Sequence, residues 1–182
     1  MSSFLGDPMK RLKTKDLAVV SLCAALMCVC AWIQFPSAVP FTLQTFAEFF
    51  IALTFGVKKS LAVTAVYILL GAVGLPVFSG FQGGVGALLG ATGGFILGFI
   101  PSTVIVSFLK SKAKKGFVYS FVCCLPGLAV CYATGVLWYM FVYGGGDVRS
   151  AVSVCILPFV VPDIIKIILA VTVARRVTAI IK

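Results

Sequence analysis

FTLQTFAEFFIALTFGVKKSLAVTAVYILLGAVGLP, residues 41–76, is the stretch on which the fold of this chain turns. It holds two apolar runs, 41–56 and 60–75, parted by the doublet Lys58 and Lys59. Gln44 and Glu48 interrupt the first run, so it is the weaker candidate for a membrane helix, whereas Gly74 and Pro76 stop the second as a helix end requires. The doublet resolves the ambiguity. Lys and Arg concentrate in cytoplasmic loops. If both runs cross, the two lysines face the same side as the basic N-terminal segment with Lys10, Arg11, Lys13 and Lys15.

The same count extends over the rest of the chain. A first apolar run covers 17–33, a fourth 86–109, a fifth 117–143 and a sixth 151–174. With six spans and both termini inside, every basic residue except Arg149 and Lys166 falls on the cytoplasmic side, including Lys110, Lys112, Lys114, Lys115, Arg175, Arg176 and Lys182. Without the second span, the lysine doublet and the 110–115 cluster would lie outside. The expected fold is therefore an all-α bundle of six transmembrane helices in a single membrane domain, 1–182. Run 17–33 is read as a retained helix rather than a signal peptide, since PSAVPF is a poor cleavage site and further spans follow.

Composition agrees. The chain is 61% hydrophobic and 11% charged, where a soluble domain carries about 25% charged residues. Its mean hydropathy is +1.15. The net charge of +10 is accounted for by the membrane topology and needs no nucleic acid. There is no histidine and no pairing of nucleophile with base, which argues against an enzyme. No Walker motif is present, so an energy source for transport has to lie outside this chain. The seven cysteines sit in apolar runs and read as small buried hydrophobes. No metal or cofactor is expected.

Four stretches carry chemistry. Asp163 and Lys166 stand three apart in the sixth run, on one helix face, just after Pro158 and Pro162. A charge at the centre of a membrane helix costs about 2.5–3.5 kcal/mol on the insertion scale, so the pair must face the bundle interior, as a salt bridge or as a polar ligand site. The glycine-rich segment 74–95 opens with a loop, about 76–85, long enough to act as an outer lid. It continues with Gly86, Gly90, Gly94 and Gly98 at a spacing of four, which predicts one smooth face for close helix packing. In PFTLQT, 40–45, the threonines suit helix capping, while the amide of Gln44 needs a partner. Ala18, Ser21, Ala25 and Cys28 form a small-residue face on the first helix, for a neighbouring helix or a separate membrane protein.

Taken together, PFTLQT (40–45), GLPVFSG (74–80), GGVGALLGATGGFILGF (83–99) and PDIIK (162–166) make the chain resemble the BioY family, the biotin-specific S components of energy-coupling-factor transporters. The motifs span most of the chain in family order. Ala91 stands where the family commonly has proline, and Pro162 abuts Asp163 where glycine is common. The resemblance implies a biotin-capture subunit in the cell membrane that docks on a transmembrane coupling subunit carrying two cytoplasmic ATPases, with ATP used only by those partners. It implies a substrate site containing Asp163 and Lys166, with Gln44, Phe78, Phe81, Gln82 and Gly84 as wall or lid contacts, and Ala18, Ser21, Ala25 and Cys28 as the docking face. Lys166 suits the ligand carboxylate; Asp163 suits a ureido N–H or orients Lys166. The rival readings are an S component for another vitamin, a solitary biotin carrier without an ATPase, and a membrane scaffold.

Overall fold

The computed structural model describes residues 14–35, 39–113, 116–144 and 146–181. Lys10, Arg11 and Lys13, Lys114 and Lys115, and Lys182 lie outside that set.

Helix α1 (Thr14–Trp32) leads into a small antiparallel hairpin, β1 (Gln34–Phe35) with β2 (Phe41–Thr42), in the register Gln34 to Thr42 and Phe35 to Phe41. Helices α2 (Gln44–Thr54) and α3 (Val57–Ala72) follow. A loop with a 3-10 turn at Ser79–Phe81 connects them to the short α4 (Val85–Leu89) and then to α5 (Gly93–Lys112). Helix α6 (Phe117–Phe141), α7 (Val148–Cys155) and α8 (Val160–Ile181) complete the bundle.

Each of the six apolar runs is helical, but they differ in reach. By length and apolarity α1, α5 and α6 qualify as membrane spans, and α7 with α8, bent by 44°, makes a fourth. Helix α2 has 11 residues and α3 has 16; at 1.5 Å per residue they extend only about 16 and 24 Å, against a hydrocarbon core of about 30 Å.

Two runs read as single helices are each broken. In the fourth, the expected helix 86–109 divides at Gly90, whose extended backbone (ψ −178°) ends α4 before α5 begins. The turn is so tight that a Cβ on Gly93 would lie 1.7 Å from the Leu88 carbonyl oxygen. The even glycine ladder is corrected with it. Gly94 and Gly98 do serve close packing, since added Cβ atoms would meet Trp138 Cβ at 2.2 Å and Thr134 Oγ1 at 2.1 Å on α6. A Cβ on Gly86 would face open space and one on Gly90 would meet only its own turn, although the Gly90 carbonyl accepts from Trp138 at 3.2 Å. In the sixth run, residues 156–159 form a turn around Pro158, which cannot donate a backbone hydrogen bond, and α8 continues beyond 174.

Helix α2 is central. Its residues join the core shared with α1, α3 and α5, and also the core shared with α5, α6 and α8. Surrounding helices explain how so short an element buries Gln44 and Glu48. Glu48 Oε1 accepts from Ser102 (3.0 Å) and Thr103 (3.1 Å), while its buried Oε2 has no hydrogen-bond partner among the described residues.

The basic segments gather at one end. Lys59, opening α3, pairs with Asp16, opening α1, at 2.6 Å. Lys110, Gly116 and Arg175 line one cavity with Leu53 of α2. The hairpin and the glycine-rich loop lie toward the other end, where Trp32 at the close of α1 donates to the Pro76 carbonyl at 2.9 Å.

Candidate functional site

The first turns of α2 and α8 meet beneath the hairpin, and the charged residues expected to define the site lie at that junction. Asp163 is 2% and Lys166 4% exposed. Lys166 Nζ lies 2.8 Å from Asp163 Oδ1. A buried ion pair is tolerated only when further hydrogen bonds occupy its remaining valences, and here they do. Thr45 donates to Asp163 Oδ1 (3.0 Å) and accepts from Lys166 Nζ (3.1 Å). Tyr132 of α6 donates to Asp163 Oδ2 (2.7 Å). Lys166 Nζ also stands 3.8 Å from the centroid of the Phe41 ring, close enough for cation–π attraction.

Asp163, Lys166, Thr45 and Tyr132 line a cavity of about 40 Å³, whose apolar walls include Phe95, Phe99 and Phe159. It has room for a few water molecules, while small-molecule sites usually measure about 300 Å³ or more. A second cavity of about 310 Å³ adjoins it, and Pro40 and Thr92 line both. The outer cavity is polar, walled by Gln34, Ser79, Gln82 and Tyr143. Gln34 Oε1 is buried there without a hydrogen-bond partner among the described residues. The arrangement is an inner chamber with aromatic walls and one paired cation and anion, separated by Pro40 and Thr92 from a more polar outer cavity.

The other expected site residues fall in different places. Gln44 reaches the inner wall, held by Thr42, which donates to its Oε1 at 2.8 Å, and by its own donation to the Tyr67 hydroxyl. Gln82 lines the outer cavity. Phe78 lines neither cavity; it is fully buried edge-on to Tyr67 (5.5 Å), and its ring fills the notch left by Gly71. Phe81 is exposed and stacks on Trp32 at 5.0 Å. Gly84 contributes backbone, with φ +87° and its N–H donating to the Gly71 carbonyl at 2.7 Å. The glycine-rich loop is thus fastened to both α1 and α3. On α1, Ala18, Ser21 and Ala25 are exposed, while Cys28 is buried in the core and does not belong to the open face.

Sequence reasoning missed Tyr132, Phe41 and the aromatic wall as site residues, and treated Thr45 only as a cap. A hydroxyl in the middle of the fifth apolar run was the available signal for Tyr132. Among the described residues no three His, Cys, Asp or Glu side chains come together as metal ligands.

Comparison with known proteins gives a consistent picture. The model of the BioY family matches residues 7–182. A protein named biotin transporter BioY from Thermotoga maritima is 40% identical over 163 residues, covering 89% of this chain and 95% of its own. A probable biotin transporter BioY from Pyrococcus horikoshii is 37% identical, with 91% and 97% covered. The crystal structure of an S-component for biotin from an ECF-type ABC transporter superposes with a TM-score of 0.81 at 24% identity, over 90% of each chain.

Proposed function

Because this chain belongs to the BioY family, matched over residues 7–182, we propose that it captures biotin at the membrane and delivers it through an energy-coupling module. The observation that carries the reading at the level of atoms is the Asp163–Lys166 pair, closed at 2.8 Å inside an aromatic chamber. A ureido group presents a carbonyl acceptor beside N–H donors. Lys166 has N–H capacity for the carbonyl, and Asp163 accepts from an N–H. The apolar bicycle then lies against Phe95, Phe99 and Phe159.

This assignment places the valerate differently from an assignment of Lys166 to the carboxylate. Lys166 is already neutralised by Asp163, so a carboxylate set beside the pair would add an unbalanced buried charge. The outer cavity, polar and near solvent, suits the acid end, with Gln34, Ser79 and Gln82 as donors. Passage between the chambers requires the shared wall of Pro40 and Thr92 to move.

The finer assignments follow. The exposed small face of α1, Ala18, Ser21 and Ala25, suits close approach by a helix of a transmembrane coupling subunit. Cytoplasmic ATPases joined to that subunit supply the energy, and the protein resides in the cytoplasmic membrane.

The test is binding of labelled biotin to the protein purified alone in detergent, with other vitamins as competitors, followed by uptake in cells with and without a coupling module. Saturable binding displaced by biotin alone, and uptake that rises with the module, are expected. Folded protein that binds another vitamin in preference overturns the substrate assignment. Full uptake without any module replaces the capture subunit by a solitary carrier.

A further inference from the structure

A further cavity, of about 600 Å³, opens at the basic end of the bundle and is lined by none of the ligand-site residues. Lys110 at the close of α5 and Arg175 near the end of α8 both line it. Lys110 Nζ donates one hydrogen bond, to Ser120 at 2.7 Å, and keeps two N–H groups. Arg175 is exposed, and no carboxylate lines the cavity among the described residues. The 25-residue helix α6 starts in its wall, with Gly116 as an N-cap that offers no side-chain hydrogen bond. The remaining wall is mixed: Leu53, Val171 and Ala174 supply an apolar patch, and Ser111, Ser120 and Thr178 supply hydroxyls.

Two cations and an apolar patch, at the cytoplasmic end of membrane helices, match a ligand with one phosphate and an attached hydrocarbon chain. We propose that this cavity binds the phosphodiester headgroup of an anionic phospholipid, with Lys110 and Arg175 holding the phosphate oxygens and the acyl chains running over the apolar patch. A soluble phosphate shares the headgroup chemistry but has nothing to place on Leu53, Val171 and Ala174. The inference is independent of the biotin reading, which uses other residues.

Lipid binding is measured by native mass spectrometry and by thermal unfolding of the full chain in nanodiscs of phosphatidylglycerol or of phosphatidylcholine, with inorganic phosphate added to detergent-purified protein as a separate arm. Phosphatidylglycerol should be retained and stabilise the protein; phosphatidylcholine and inorganic phosphate should not. Lys110→Gln and Arg175→Gln should each weaken that retention about fivefold, the worth of one juxtamembrane cation. The controls are Lys112→Gln and Arg176→Gln as single variants, each of which removes one charge from the same helix ends but from a residue that does not line the cavity. They should retain phosphatidylglycerol. Equal losses in the controls would reduce the effect to diffuse surface charge and overturn the site. Equal stabilisation by inorganic phosphate would overturn the lipid as its ligand. Loss of assembly with a coupling module in the cavity variants, without any lipid preference in the parent, would make it a protein contact instead. Biotin binding in all these variants reports that the bundle is folded and should match the parent.

Discussion

Tyr132 donates its phenol to Asp163 Oδ2 at 2.7 Å, which ties the middle of α6 to the first turn of α8 across the inner chamber. The bond gives Oδ2 one donor, while Lys166 and Thr45 share Oδ1, so the carboxylate keeps room for a further N–H. Asp163 is held from three helices, α2, α6 and its own, before any ligand arrives. Such preorganisation lowers the cost of ordering the site on binding.

Tyr132→Phe should therefore weaken biotin binding about tenfold, since a hydrogen bond to a charged group contributes about 1.5–3 kcal/mol. Titration of the purified variant with labelled biotin measures it. An unchanged affinity would remove Tyr132 from the site.

Lys166→Ala leaves Asp163 buried with its cation gone, and should destabilise the bundle by about 3–5 kcal/mol as well as abolish binding. The double variant Asp163→Asn with Lys166→Met removes both charges together. It should recover most of the thermal stability in detergent while still failing to bind. Recovery of both stability and binding would show the pair to be structural only.

The glycine-rich loop is fastened by the Trp32–Phe81 stack at 5.0 Å and by the Trp32 hydrogen bond to Pro76. An aromatic pair adds about 0.5–1.5 kcal/mol beyond its buried area, and the hydrogen bond a similar amount. Trp32→Ala should raise the biotin dissociation rate about tenfold and leave the association rate within about threefold. Stopped-flow exchange of labelled for unlabelled biotin reads both rates. Slower association with unchanged dissociation would contradict a closing role.

Gly94→Ala should destabilise the α5–α6 contact by about 1–3 kcal/mol, because the new Cβ would fall 2.2 Å from Trp138 Cβ and 2.6 Å from the Thr134 carbonyl oxygen. Gly86→Ala, with nothing within 4 Å, should be neutral. Thermal unfolding of the two variants side by side separates the glycines that pack from those that do not.

The sequence and the structure part company at identifiable places. Hydropathy located the apolar runs that fold as helices, because apolar length is a property of the chain itself. It did not reveal that α2 stops after 11 residues, since the helices that let a short segment bury Gln44 and Glu48 come from elsewhere in the chain. Even glycine spacing suggested one face, but the backbone turn at Gly90 divides it, and spacing alone carries no dihedral angle. At the site, Asp163 and Lys166 were legible because a charge in an apolar run must find a partner. Tyr132, Phe95 and Phe99 were not, because an aromatic residue in a membrane helix looks the same whether it faces lipid or a cavity, and Phe41 and Phe159 were not, because the hairpin and the turn that place them leave no periodic pattern. Phe78 and Phe81 show the converse. Both lie in the glycine-rich loop, yet one fills a notch in the core and the other stacks outside on Trp32.

The central claim, that Asp163 and Lys166 read the ureido ring of biotin, is tested most directly by titrating the purified protein with three ligands. These are biotin, its carboxamide, and the diamine formed when the ureido carbonyl is removed. Loss of the ureido carbonyl should weaken binding far more than loss of the carboxylate charge, because the paired residues lie in the inner chamber and the proposed place of the acid is the polar outer cavity. The reverse order, with the carboxamide nearly inert and the diamine well bound, would place the carboxylate on Lys166 and contradict the account.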